Sequence, residues 1–423
     1  MSSRNRVIGD VMKNIPEGYK KEKNRIIPLD WRFVKIGDIL SKVGKRVEVK
    51  KDNNYRQIGI RSHGKGLFYK EPVSGEELGN KSVFWIEQDC FIVNIVFAWE
   101  QAIGKTTAKE RGMICSHRFP MYRPIDNRID IDYLVYVFKT AYGKKILELA
   151  SPGGAGRNKT LGQKEFANSE ILIPNSIEEQ RRIVKIISTW DFAIEKQQQL
   201  IEKKKEFKKG LMQRLLSGEV RFKEFKDKWN KAKVSDIANC FAGGTPSTKI
   251  SQYWGGDNIW LQSGRIQNCR VDKKNDEIYI TNEGLNNSSA KLIKEKSVLV
   301  ALTGATCGNI AYLEFEACAN QSVVAIEPNY VVDYKYLYYS LIHEKNQILS
   351  KQNGSAQGGI NLSIVKGLLI NLPSIEEQKK IAETLNLEDK EIELLEKELE
   401  ALKLQKKGLM QRLLTGEVRV NVE

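Results

Sequence analysis

The sequence predicts an α/β (α+β) protein built twice. Two domains of mixed, irregular sheet plus helices are joined by two long helices, packed as an antiparallel coiled coil with pseudo-two-fold symmetry. Three observations predict it. "GLMQRLLSGEV" at 210–220 returns as "GLMQRLLTGEV" at 408–418, with Ser217 against Thr415 the single difference. "IEEQ" at 177–180 returns at 375–378, and "WRFVKIGDI" from Trp31 returns as "WNKAKVSDI" from Trp229. Each pair is 198 residues apart (408 minus 210, 375 minus 177, 229 minus 31), so the chain carries an internal duplication.

The two long helices carry the clearest pattern in the chain. Ser176 and Ser374 stand as N-caps before Glu178-Glu179 and Glu376-Glu377, which place acids in a first turn. Apolar residues then recur at Ile381, Leu385, Ile392, Leu395, Leu399, Leu402, Leu409 and Leu413, an a/d seam of threes, fours and sevens. The first copy matches with Ile183, Ile187, Ile194, Ile201, Leu211 and Leu215, but carries Gln197 and Lys204 where the second copy has Leu395 and Leu402. Gly218 and Gly416 end the helices. A helix of about 38 residues is about 57 Å long, and such a seam must be covered; antiparallel pairing of the two copies covers both.

The chain therefore divides into a basic segment 1–28, whose order the sequence leaves open; a first domain 29–175; a helix 176–217; a second domain 223–373; and a helix 374–415. In the first domain, 82–99 and 113–123 are β-branched and aromatic runs bounded by turns. In the second, 258–266, 297–314 and 321–328 read the same way. Residues 130–162 and 332–363 share an amphipathic helix followed by a glycine-rich loop, whereas 50–125 and 248–328 show no match.

Composition narrows the function. Lys plus Arg number 68 against 53 acids, a net charge of +15, which favours a polyanionic partner. Lysine-rich helical runs such as 202–209 account for part of that excess as solvated surface. No apolar run reaches the roughly 18 residues of a membrane span, and no secretory pattern opens the sequence, so a cytoplasmic protein is expected. The six cysteines lack CxxC pairs and there are only three histidines, so buried free thiols are expected and no zinc site. "WEQAIGKTT" (99–107) ends like a phosphate-binding loop, but Trp99 stands where its first glycine is required. No nucleophile elbow, metalloprotease motif or base-methylation motif occurs, and no catalytic residue is assigned.

What remains are polar loops with nucleic-acid chemistry: Arg reads guanine, Asn and Gln read adenine, and Lys, Ser and Thr mainly hold phosphates. In the first domain the candidates are Arg61, His63 and Lys65 of "GIRSHGKG", Arg111 and Arg118 of "ERGMICSHR", and Arg157 and Lys159 of "GGAGRNKT". In the second they are Thr245, Ser247, Thr248, Lys249, Gln262, Ser263 and Arg265 within 241–267. Thr303 and Thr306 of "LTGATCGN", Asn320 and Gln321 of "ANQS", and Gln357 complete the set. A second reading stays open beside DNA binding: a non-catalytic coiled-coil interaction scaffold without specific DNA recognition.

Over nearly its whole length the chain resembles the specificity subunit of a type I restriction-modification system. The resemblance rests on "IPEGYKK" (15–21), the entries to IEEQ at 173–180 and 372–378, and the twin endings at 210–221 and 408–419. "GGTPSTKISQYWGGDNIWL" (243–261) is similar to a motif widespread in the family's target-recognition domains. The resemblance implies that 29–175 and 223–373 are target-recognition domains, each reading half of a bipartite, asymmetric double-stranded DNA site, with the coiled coil setting the unread spacer. It implies no cofactor on this chain, two copies of a DNA-adenine methyltransferase subunit using S-adenosylmethionine, and motor-endonuclease restriction subunits using ATP and Mg. The repeated helix ends would then be two docking surfaces for two copies of one partner. Neither domain matches a reader of known sequence residue by residue, so the candidate contacts stand on side-chain chemistry alone.

Overall fold

A computed structural model describes residues 15–153, 159–274, 277–350 and 360–421. Two compact units emerge, one of residues 1–196 with 399–423, the other of residues 197–398. Each unit takes part of both long helices, so compactness divides the chain within the helices rather than at their ends.

In the first unit, residues of the N-terminal segment form a hairpin of Tyr19–Glu22 with Arg25–Pro28. Its two turn residues, Lys23 and Asn24, have φ of 48° and 60°, the left-handed pair that a two-residue hairpin demands. Strand β1 (Trp31–Lys35) is followed by β2 (Leu40–Val43), β3 (Phe91–Val93), β4 (Ile103–Lys105), β5 (Met121–Pro124), helix α1 (Ile131–Lys139) and β6 (Glu170–Pro174). A four-stranded antiparallel sheet runs β4-β3-β5-β2, and β1 pairs with β6. The whole of β3 is buried, which is why it reads as an unbroken apolar run rather than an alternating one. Asp130 caps α1, whose Leu134, Val137 and Phe138 lie in the core; the Phe138 and Phe166 rings stand 5.3 and 6.1 Å from Phe91.

Helix α2 (Ile177–Ser217) leads to the second unit, with β7 (Asn230–Lys233), β8 (Ala238–Ala242), β9 (Val298–Ala301), β10 (Ile310–Tyr312), β11 (Val323–Pro328), α3 (Tyr334–His343), β12 (Leu369–Leu372) and α4 (Ile375–Thr415). Its antiparallel sheet runs β10-β9-β11-β8, the order of the first unit, and β7 pairs with β12 as β1 does with β6. The duplication thus extends through the central segments, where the sequence shows no match. Phe91 faces Lys105 and Val298 faces Tyr312, so here the offset is 207 (298 minus 91) and no longer 198. Insertions break the sequence register, and strands buried on both faces accept any β-branched or apolar residue of suitable size.

Both long helices hold 41 residues, about 62 Å at 1.5 Å per residue. The Glu179 and Glu377 N–H groups donate to the Ser176 and Ser374 hydroxyls, as N3 does to an N-cap. The helices end at Gly218 and Gly416, with φ of 78° and 75°. Inside the first unit α2 and α4 run antiparallel, with Lys406 on Asp191 and Arg419 on Glu179. Inside the second, Lys208 meets Asp389 and Lys204 meets Glu391, again antiparallel. Seam residues Ile187, Ile201, Ile381, Leu385, Ile392 and Leu399 are buried; Ile194, Leu211, Leu395, Leu402 and Leu409 are half-buried. The polar interruptions are matched. Gln197 donates to the Leu395 carbonyl and to Glu398, and Lys204 lies between Glu388 and Glu391.

The repeated motifs have a long-range cause that sequence reading missed. Glu179, 1% exposed, accepts from Trp31 Nε1 and from Arg419; Glu377, also 1% exposed, accepts from Trp229 Nε1 and from Arg221. Gln180 accepts from the Asp130 N–H and donates to the Arg128 and Pro174 carbonyls, and Gln378 repeats this with Asp333, Val331 and Pro373. IEEQ therefore ties each long helix to the cap of α1 or α3. Leu215 and Leu216 enter the second unit's core, Leu413 and Leu414 the first's, so each ending closes one unit. The apolar face of each ending is therefore internal, and only its polar face is exposed.

Cys90, Cys115, Cys240 and Cys318 are buried thiols as expected, but Cys307 is half-buried and Cys269 exposed. Lys105 of "GKTT" sits in β4, 2.7 Å from Asp132, and not in a phosphate-binding turn. Among the described residues no acidic, His or Cys group could hold a metal, and no helix is long and apolar enough to cross a membrane.

Candidate nucleic-acid interface

In the second unit the candidates converge at one end of the sheet. Gly243 and Gly244 follow β8, and their N–H groups donate to the Val323 and Ala319 carbonyls. A Cβ on Gly243 would stand 2.2 Å from the Ala319 oxygen and one on Gly244 2.1 Å from the Ser289 oxygen, so only glycine passes here. The loop that follows, Thr245–Lys249, is pinned by two tryptophans. Trp260 Nε1 donates to Gly244 O at 2.9 Å and Trp254 Nε1 to Ser247 O at 3.2 Å, the two rings meeting edge to face at 5.2 Å. Ser247, Thr248 and Lys249 are left exposed on a fixed backbone.

Three further segments meet this loop. The Thr245 hydroxyl donates to Gln321 Oε1, and the Asn320 N–H to the Leu261 carbonyl, which brings Gln262 alongside. The Thr306 hydroxyl donates to Ser263 O at 3.0 Å, so the β9–β10 loop with exposed Thr303 joins the group. Arg265 is spent differently. Its guanidinium lies 2.6 Å from Glu277, which is 3% exposed, and also donates to the Asp272 carbonyl, so it holds the loop together. Gln357 lies outside the described residues.

In the first unit the organising segment is the β3–β4 loop, 94–102. The His63 and Gly64 N–H groups donate to the Glu100 and Gln101 carbonyls, and the Ser62 hydroxyl to the Glu100 carboxylate at 2.8 Å. Both partners at this joint, His63 (φ 61°) and Gln101 (φ 58°), take left-handed backbone that non-glycine residues rarely adopt. Lys159 stands 5.7 Å over the Trp99 ring, and the Ile95 N–H donates to the Arg118 carbonyl. His63, Lys65, Arg118 and Lys159 are thus gathered around one loop. The Lys139 stem packs beneath it against Gly64, and burial pushes its ammonium below the ordinary lysine value.

Two arginines stand apart. Arg61 folds onto its own hairpin, 5.1 Å over Phe68 and bonded to Leu67 O, while exposed Arg111 ends the turn Ala108–Glu110. Arg157 lies outside the described residues. Sequence reasoning passed over His117, exposed beside Arg118; only its position in the fold draws it out. The assembled chemistry is hydroxyls, carboxamides, imidazoles and lysines on pinned loops, suited to phosphate and base-edge contacts.

The sequence profile of the type I restriction modification DNA specificity domain matches residues 28–203 and again 226–404. The type I restriction enzyme MjaVIII specificity subunit of Methanocaldococcus jannaschii is 26% identical over 428 residues, covering 96% of each chain. The EcoR124I/EcoR124II specificity subunit of Escherichia coli is 26% identical over 299 residues, 65% of this chain and 70% of that one. Among solved structures, a chain from work on complex assembly and conformational transition of the type I R-M system aligns with a TM-score of 0.63 at 16% identity, covering 93% of this chain and 99% of that one. The HsdS subunit of Thermoanaerobacter tengcongensis gives 0.53 at 17% identity, covering 94% and 100%. Two matches to one profile, each holding one copy of the duplicated fold, place this chain in the family of type I restriction-modification DNA specificity subunits.

Proposed function

We propose that this chain reads a bipartite, asymmetric DNA site and directs adenine-methyltransferase and restriction subunits to it, without catalysing a reaction itself. The observation that carries this is one recognition fold built twice with different loops at the same end of its sheet, Thr245–Lys249 with Gln321 in one unit and His63 with Arg118 in the other. Two unlike readers in one chain imply a site with two unlike halves. The positive charge of +15 supplies the phosphate attraction. S-adenosylmethionine, ATP and Mg belong to the partner subunits in this reading, and the cytoplasm is where the complex meets its DNA.

Two methyltransferase copies are part of the proposal. The outward residues of the repeated endings, Gln213-Arg214 and Gln411-Arg412, are exposed and identical, so each unit presents one copy of the same surface. Affinity purification from the native host with mass spectrometry tests it: a DNA-adenine methyltransferase at about two copies per chain is expected. Recovery of the chain alone, or with unrelated proteins, removes the recruitment claim. The scaffold reading is separated by salt. Binding through several phosphates weakens by orders of magnitude between about 50 and 200 mM salt, whereas a scaffold has no such DNA affinity to lose.

A further inference from the structure

One turn is built twice in the same place. In the first unit the Phe119 N–H donates to Ser116 O at 2.9 Å and the Arg118 N–H to the Ser116 hydroxyl at 3.3 Å. In the second, the Val323 N–H donates to Asn320 O at 3.1 Å and the Ser322 N–H to Asn320 Oδ1 at 3.1 Å. The next residue anchors both turns to the neighbouring loop: Ile95 N–H to Arg118 O at 3.0 Å, Leu302 N–H to Ser322 O at 2.8 Å. Residue for residue, Ser116 is Asn320, His117 is Gln321 and Arg118 is Ser322. The first position spends its side chain closing the turn. The second, His117 or Gln321, is exposed in both units.

We infer that His117 and Gln321 are the base-reading residues of the two units, and that their different chemistry makes the two half-sites different. The inference rests on the proposal that the chain recognises DNA. Gln321 is prepared for the task. The Thr245 hydroxyl donates to its Oε1, which orients the carboxamide; among the described residues nothing else engages it, so both Nε2 hydrogens and the second Oε1 lone pair are left for a ligand. That pattern complements the N7 acceptor and N6 donor of adenine in the major groove. The His117 imidazole has no hydrogen-bond partner among the described residues, and a neutral imidazole offers one donor to a purine N7. Both turns lead into a strand of the buried sheet, β5 or β11, so the reading side chain stands on rigid backbone rather than on a free loop. Thr245 is a positioning residue for Gln321.

The test is selection from a randomised duplex library by the complex of this chain with its methyltransferase partner, comparing wild type with His117→Ala, Gln321→Ala, Gln321→Glu and Thr245→Val. Gln321→Ala should lose preference at one base pair of one half-site by roughly 5–150-fold, with the salt slope of binding unchanged. His117→Ala should do the same in the other half, and Thr245→Val should broaden the base pair that Gln321→Ala affects. Gln321→Glu, an isosteric change at an exposed position, should move that base pair from adenine towards cytosine, whose N4 donates to a carboxylate. The inference is overturned if the variants keep the wild-type preference, if both alanine variants alter the same half, or if affinity falls equally for all sequences with a shallower salt slope. A wild-type complex that selects no sequence removes the DNA-reading function itself; a selective wild type with unchanged variants removes only this assignment.

Discussion

Replacing Arg419 with alanine strips the guanidinium from a carboxylate that cannot reach water. Glu179 is 1% exposed and accepts from Arg419 Nε at 2.8 Å and Nη2 at 3.1 Å, with Trp31 Nε1 at 3.3 Å from each oxygen. Arg419 also lies 2.7 Å from Asp30, closing a contact between residues 389 apart in sequence. Removing one member of a fully buried ion pair costs about 3–5 kcal/mol, because the other charge is stranded. The Arg419 side chain is 35% exposed, so water partly screens the pair and can enter the space left behind; the lower end, about 3 kcal/mol, is expected. For a unit of this size each kcal/mol lowers the melting temperature by roughly 2–4 °C, so calorimetry should record a fall of about 6–12 °C. Adding Glu179→Gln should recover at least about 1 kcal/mol, since the amide carries no charge to strand and can still accept from Trp31. A shift below about 1 °C, or a double variant less stable than Arg419→Ala alone, would refute the stranded-charge argument.

Three other outcomes are expected. Gly218→Ala should cost about 1–2 kcal/mol through its left-handed backbone, and Gly416→Ala more, because its Cβ would also stand 2.6 Å from Pro28; urea unfolding of the two variants should rank them so. Burial raises the Glu110 carboxyl, but hydrogen bonds from Tyr69 and Thr107 outweigh it and hold the group below its ordinary 4.5. A depressed carboxyl stabilises the fold above its unfolded value and loses that contribution as pH falls through the folded one. The stability gap between wild type and Glu110→Gln, measured by urea unfolding, should therefore be full at neutral pH and close below about pH 4.5. Inserting one heptad into both α2 and α4 adds about 10 Å, or about three base pairs at ~3.4 Å each, and should lengthen the unread spacer of the selected site by that amount. An unchanged spacer would separate the helices from spacing.

Legibility followed the range of the interactions. The helix bounds were readable within a residue or two because Ser176 and Ser374 cap locally and Gly218 and Gly416 stop locally. The Glu178-Glu179 pair was readable only as charge in a first turn. The burial of Glu179 depends on Trp31 and Arg419, at the two ends of the chain, and nothing local announces it. Asp191 with Tyr136 and Lys406, and Asp389 with Tyr339 and Lys208, were missed for the same reason. Among the candidate contacts, chemistry alone ranked Arg265 and Arg61 with Gln321. The fold separates them, because Glu277 engages the first guanidinium and Phe68 with Leu67 the second, while Gln321 faces solvent.

The sequence by itself determined the duplication, the two long helices and their seam, the basic charge and the family. These are properties of spacing and composition, which a linear string preserves. Only the tertiary structure decided that the central sheets are also duplicated, that each helix ending locks a unit, and that His117 and Gln321 occupy the same place. Those facts depend on strand pairing and long-range hydrogen bonds, and many different residues satisfy the same backbone.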